Sequence, residues 1–279
     1  MNVKIICDSS CNVPDAYLNS LDILQVPAWI NFADGSSLRN QVDITTAEFY
    51  TRLAHEKHLP TTSQPTPQDF IDAIESVDAA QIVVATVSSK MSGTHNSAVQ
   101  AQSLLPDRNI HLYDTLSASM GGGWQIIVGA EAAAQGADAA GVLAAMEASR
   151  DRVHTILTID TLKYLAASGR APMLQAMLGN LLNIKPMLAV QQGTLELVDR
   201  ARGRKRSKRA LVEKMQAAVG SRPLRVALIN ANIPDEAAEY AAEIRQALNV
   251  QELIIEELGP VLGTLAGPGA LAIAALIAD

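Results

Sequence analysis

Aromatic residues are scarce in this sequence: two Trp, five Tyr and three Phe, 4% of the chain against 48% hydrophobic residues overall. The core must therefore be assembled from Ala, Val, Leu and Ile. Cysteine is nearly absent as well. Cys7 and Cys11 are too few for a disulfide framework, and a structural zinc site usually takes four ligands. Cys7 closes an apolar strand run and reads as a small buried residue. The five histidines show neither H-x-x-x-H nor H-E-x-x-H spacing, so no metal is expected, and His55, His58 and His111 read as surface or loop residues. Neither G-x-G-x-x-G nor a Walker lysine occurs, which leaves no phosphate-loop signature and no expected cofactor. A formal net charge of -7 argues against nucleic-acid binding, which needs a basic field.

Targeting signals are missing too. Met1 to Asp8 is too short and too soon charged for a signal peptide, which makes the cytoplasm the expected compartment. One uncharged run, Gly259 to Ala278, is long enough to span a bilayer. Gly267-Pro268-Gly269 interrupts it, so a loop and a buried C-terminal helix from about Gly269 are predicted instead of a membrane span.

What remains is alternation. Strand runs are expected at Val3–Cys7, Ile23–Ile30, Ile82–Ala85, Ile110–Tyr113, Val153–Ile159, Leu224–Ile229 and Val250–Ile255, with helices between most of them. Asp34-Gly35 marks a hairpin turn, and Thr45-Thr46-Ala47-Glu48 is a capping box opening a helix to about Glu56. A further helix is expected from Pro172 to about Leu182. Lys185–Val190 and Thr194–Val198 flank Gln191-Gln192-Gly193 as a second hairpin. The class is α/β with mostly parallel sheets, in two domains, 1–152 and 153–279.

Hydroxyls gather where strands turn into helices: Asp8-Ser9-Ser10, Ser88-Ser89-Lys90-Met91-Ser92-Gly93-Thr94 and Ser117-Ala118-Ser119. The proline-braced loop Pro60-Thr61-Thr62-Ser63-Gln64-Pro65 adds a fourth group. In parallel sheets such turns lie at the carboxyl ends of strands, where ligands bind. Hydroxyls with unpaired helix N–H groups, and without a cluster of charges, suit a carboxylate or phosphate. The same residues also cap helices ordinarily. An enzyme, a hydrolase or phosphotransferase using Ser92 or Ser9, would need an adjacent base. The candidates are His95 and Asp8; a G-x-S-x-G elbow is absent. Gly121-Gly122-Gly123 reads as a place where a helix approaches a sheet or ligand closely.

Basic residues are not spread evenly. Seven of the 22 Lys and Arg fall between Arg200 and Arg209, and the expected helix after them starts at Ser207. Clustered cations on an acidic chain read as a docking patch for an acidic partner, centred on Arg200, Arg202, Arg204, Lys205 and Arg206.

Taken together, Asp8-Ser9-Ser10, Thr62-Ser63-Gln64-Pro65, Ser88 to Thr94, Asp114 to Gly123, Leu182-Asn183-Ile184-Lys185-Pro186 and Gly259-Pro260-Val261-Leu262-Gly263-Thr264 with Gly267-Pro268-Gly269 resemble the DegV family of bacterial fatty-acid-binding proteins. The resemblance runs from near residue 3 to the C-terminus. It implies two α/β domains with a long-chain fatty acid in an apolar tunnel at their junction. It implies a lipid carrier that is not itself an enzyme. Thr62 and Ser92 would hydrogen-bond the carboxylate, helped by Ser63, Gly93 and Thr94. Some members present the fatty acid to a separate acyl kinase, which Arg200 to Arg206 would meet. A monomer is the working expectation. Two departures stand out. Leu265 occupies a position where the family often has His, and Ser168-Gly169-Arg170-Ala171-Pro172 replaces a more usual Gly-Gly-Arg-Ile.

Overall fold

The computed structural model describes residues 2–170 and 183–278; the helix expected from Pro172 to about Leu182 lies outside them. In chain order the strands are β1 (Val3–Asp8), β2 (Ile23–Val26), β3 (Trp29–Asn31), β4 (Ser37–Arg39), β5 (Thr61–Ser63), β6 (Gln81–Thr86), β7 (Ile110–Asp114), β8 (Val153–Thr158), β9 (Ile184–Gln191), β10 (Thr194–Arg202), β11 (Leu224–Asn230), β12 (Val250–Glu257) and β13 (Leu271–Ile277). The helices are α1 (Asp15–Ser20), α2 (Thr46–Leu53), α3 (Pro67–Glu75), α4 (Thr94–Leu104), α5 (Met120–Ala134), α6 (Ala139–Arg150), α7 (Lys163–Ser168), α8 (Arg204–Val219), α9 (Pro234–Ala247) and α10 (Pro260–Ala266).

The α/β class holds. One sheet, in the order β2-β1-β6-β7, is wholly parallel. Its inner strands are apolar on both faces, as helices on both sides require. Strand order reverses between β1 and β6, so the loops after these two strands diverge and leave a crevice. The second sheet, β10-β9-β8-β13-β11-β12, is mixed: only β11 and β12 run parallel. A small antiparallel sheet, β4-β3-β5, stands beside the first and carries Thr62 opposite Ile30.

Helix α5 is buried nearly all round, which suits a helix enclosed by structure on every side. Its glycines serve close packing. A Cβ at Gly122 would lie 3.0 Å from Cys11 Sγ, and one at Gly123 would lie 2.9 Å from the Cys11 carbonyl. Trp124 Nε1 donates to the Ala274 carbonyl at 3.0 Å, fastening α5 to β13. One continuous core includes Ile5 and Val83 of the parallel sheet, Trp124, and Ala227 and Ala274 of the mixed one.

Three expectations are corrected. The extended run Ile23–Ile30 is two strands, broken at Pro27, which has no N–H for a ladder. The break carries the chain from the parallel sheet into the small one. The C-terminal segment is not a helix: Leu271–Ile277 is a strand lying between β8 and β11. A short apolar run rich in Ala has no periodicity that separates a buried helix from a strand buried on both faces. Finally, α8 begins at Arg204, not Ser207, and Arg200 and Arg202 end β10. Gly203, at φ +83°, makes the corner between them.

At the sheet edge, burial with Asp15 and Glu257 nearby pushes the Glu256 carboxyl up from 4.5 to about 7. Between those values the folded chain holds a proton that the unfolded chain has lost. Stability therefore falls as pH rises from about 4.5 to about 7. The side chain is part-exposed, so solvent screening reduces the effect to about 1–2 kcal/mol. Glu256→Gln is expected to remove most of that fall, read from urea midpoints at pH 4.5, 6 and 8.

Candidate functional site: an apolar cavity with a hydroxyl-lined end

The strand-end loops meet over a cavity bounded by both larger sheets, the small sheet and α10. About 1100 Å³ of space lies between these elements when the solvent at the mouth is counted. Its wall is mainly aliphatic. Leu157 and Ile159 come from β8 and the residue after it, Val190 and Leu195 from the β9–β10 hairpin, and Val261 and Leu262 from α10.

Polar residues enter the wall from several places. Thr62 and Ser63 reach it from β5, Ser92 from the loop before α4, Thr94 from the first position of α4, and Arg170 from beyond α7. Ser92 Oγ and Thr94 Oγ1 lie 2.8 Å apart, and Thr94 N donates to Ser92 Oγ at 3.3 Å. Ser92 is thus held at the start of a helix whose first N–H groups lack intrahelical partners. Ser63 Oγ accepts from Asn31 Nδ2 at 2.8 Å, so that hydroxyl is already engaged. Gly93 lies behind the wall. A Cβ there would come within 2.5 Å of the Gln64 side-chain amide, which also donates to Ser97 Oγ at 3.4 Å. Gln64 therefore joins the end of β5 to the start of α4.

Arg170 was not among the residues the sequence suggested. Its Nη2 lies 3.5 Å from Thr62 Oγ1, and its Nη1 donates to the Ser168 carbonyl at 3.1 Å. It puts a positive charge beside the Thr62 hydroxyl. Gly169, left-handed at φ +72°, caps α7 and turns the chain so that Arg170 reaches the cavity. Ser119 and Thr155 also line the cavity, and their hydroxyl oxygens are buried without a hydrogen-bond partner among the described residues. Leu265 is in the wall as well, so an aliphatic side chain stands where the resemblance implies histidine.

The candidate bases are engaged elsewhere. His95 Nδ1 is 2.9 Å from Thr86 Oγ1, and Ser9, a candidate nucleophile, accepts through its Oγ from Ala28 N at 3.0 Å. Asp8 is 0% exposed and accepts from Ser10 N at 2.8 Å and Val87 N at 2.6 Å. Burial pushes its carboxyl upward, against the two N–H donors that favour the ionised form. Asp8 ties the loops after β1 and β6 together across the crevice. No group of three or more His, Cys, Asp or Glu among the described residues is arranged to hold a metal. Among them, too, no helix is long and apolar enough to cross a membrane.

The basic run divides in two. Arg204 forks onto Glu236 at 2.9 and 3.1 Å and donates to the Gly269 carbonyl at 2.6 Å, fixing the start of α8. Arg200, Arg202, Lys205 and Arg206 are exposed around a surface cleft.

The site so defined is a mainly aliphatic cavity, carrying strand-end hydroxyls, in a mixed α/β protein. The chain is a member of the DegV family: the family model described as "Uncharacterised protein, DegV family" matches residues 2–278. It is 30% identical over 271 residues to the DegV domain-containing protein TTE1491 of Caldanaerobacter subterraneus subsp. tengcongensis, covering 96% of each chain. A DegV lipid-binding protein from Thermotoga maritima superposes with a TM-score of 0.92 at 30% identity, over 100% of this chain and 99% of that one. A fatty-acid-binding DegV family protein from Thermus thermophilus superposes with a TM-score of 0.90 at 30% identity over all of both chains.

Proposed function

We propose that this protein is a cytoplasmic carrier, not an enzyme, that holds one long-chain fatty acid with its acyl chain in the cavity. On this reading the carboxylate lies against Thr62 and Ser92. The observation that carries it is a mainly aliphatic wall that also holds the Thr62 and Ser92 hydroxyls, with the Arg170 guanidinium 3.5 Å from Thr62 Oγ1. Relatives described as lipid-binding and fatty-acid-binding share the fold over its whole length. The division into units 1–152 and 153–279 belongs to the same proposal.

Magnitudes fit that division of labour. Burying about fifteen methylenes contributes roughly 12 kcal/mol gross, while each neutral hydroxyl hydrogen bond contributes about 1 kcal/mol net. The cavity supplies affinity; Thr62, Ser92 and Arg170 set which end goes where. Thr62→Ala combined with Ser92→Ala is expected to weaken palmitate about 10- to 30-fold but its methyl ester much less. Equal losses for both ligands would make the hydroxyls merely structural. The reading as a whole is tested by denaturing extraction and mass spectrometry of the purified protein. It fails if no fatty acid co-purifies and added palmitate or oleate does not bind.

The carrier's outlet, on this reading, is a separate acyl kinase that docks on Arg200, Arg202, Lys205 and Arg206. Three cations in the first turn of α8 oppose the helix dipole, a local conflict of the kind found where function demands it. Leu265 offers no donor where the resemblance implies histidine, and Arg170, 3.5 Å from Thr62 Oγ1, supplies a cation on this reading.

A further inference from the structure

Strands β9 and β10 form a hairpin whose two faces have different duties. Val190 and Leu195, paired across it, both line the cavity. Its tip, Gln191-Gln192-Gly193-Thr194, crosses to the loop that follows β6. There Ser88 Oγ donates to the Gly193 carbonyl at 2.7 Å, and Lys90 Nζ donates to the Gln192 carbonyl at 2.7 Å. The approach is close: a Cβ on Gly193 would lie 2.7 Å from Ser88 Oγ and 3.1 Å from Leu116. Gln192 and Gly193 both have positive φ, 47° and 85°, the form of a two-residue turn that fits strand twist.

Ser88 also holds the carboxylate end. Its carbonyl accepts from Ser92 N at 3.1 Å, and its hydroxyl accepts from Lys90 N at 3.2 Å. The tip is therefore one residue removed from the backbone that positions Ser92. At its other margin β10 is an edge, paired among the described residues with β9 alone, and its register shifts between Leu197 and Asp199. β9 pairs with β8 only through Met187–Ala189, so the tip from Val190 to Leu195 swings without breaking that ladder, and the shift in β10 is a natural place for it to bend.

We propose that the β9–β10 hairpin is the gate of the cavity, latched shut by Ser88 and Lys90, and that ligand enters and leaves when the latch opens. This rests on the fatty-acid-carrier reading. The far end of β10 carries Arg200 and Arg202, so a partner gripping those residues pulls on the same strand. The latch consists of one neutral and one charge-assisted hydrogen bond, and losing the charged one speeds opening about 10-fold.

The test is the release rate of bound cis-parinaric acid on mixing with excess oleate in a stopped-flow fluorimeter. Lys90→Met is expected to release about 10-fold faster. A protein carrying Lys90→Cys and Gln192→Cys, joined by a short bis-maleimide, is expected to release at least 10-fold more slowly than the same protein capped singly at each thiol. Cys7 and Cys11 are 0% exposed, so the reagent reaches the introduced pair. A joined hairpin that releases as fast as the capped one, or Lys90→Met at the parent rate, overturns the gate and leaves the carrier reading intact. A parent protein that takes up neither parinaric acid nor oleate overturns both.

Discussion

Ala272→Phe is expected to lower fatty-acid affinity at least 100-fold while leaving the fold intact. Ala272 is on β13, a strand hydrogen-bonded on both sides, yet it is part-exposed because it faces the cavity. A phenyl ring there occupies space that about five methylenes of ligand would otherwise fill, worth roughly 4 kcal/mol at about 0.8 each. That exceeds the effect of any one hydroxyl at the carboxylate end. Displacement titration with palmitate measures the affinity, and urea midpoints check that the fold has not weakened. Unchanged affinity would mean the acyl chain runs elsewhere. Comparing this variant with Thr62→Ala and Ser92→Ala separates the binding of the chain from the binding of its charged end.

Asp8→Ala acts on stability instead. The Asp8 carboxylate, 0% exposed, accepts from Ser10 N and Val87 N. Its removal leaves two buried N–H groups unpaired at about 1–3 kcal/mol each. The expected loss is about 4 kcal/mol, lowering Tm by roughly 10 °C in a chain of this size. Calorimetric melting of the two proteins measures it. A loss under about 1 kcal/mol would show that the loops after β1 and β6 are held by other contacts. Because those loops frame the crevice, Asp8→Ala is also expected to loosen the placement of Ser92.

Much of this architecture is legible in the sequence because its signals are local. The Thr45–Glu48 capping box forms as its residues dictate. The Asp34-Gly35 and Gln192-Gly193 turns join antiparallel strands as expected. The failures are tertiary. Nothing in Leu271–Ile277 says that it enters the middle of a sheet, since Ala and Leu favour helices and only neighbours on both sides make the segment a strand. That insertion makes two of the second sheet's antiparallel pairs, β8–β13 and β13–β11.

The site divides along the same line. Hydroxyl-rich turns at strand ends mark Thr62, Ser92 and Thr94 as residues of one region, and all three line the same cavity. Arg170 could not be found this way. Its partner Thr62 lies 108 residues earlier, and no periodicity links them. Its one local signal was Gly169, a glycine placed to end a helix and redirect the chain. Arg204 shows the converse. It belongs to a run that looks uniformly available, but Glu236, from the far α9, takes up its guanidinium.

The position of β13 also bears on how the chain is made. It is the last of the six strands to be synthesised, yet it fills the gap between β8 and β11. Until it arrives, β9 and β10 can pair with β8, and β11 with β12, but two inner edges face an empty slot. Each edge presents a row of unpaired N–H and C=O groups able to accept a strand from another molecule. The cavity wall formed by Leu271 and Ala272 is missing for the same interval. Competence to hold a ligand thus comes only with the closing of the sheet, and the nascent chain is most open to mispairing just before that moment.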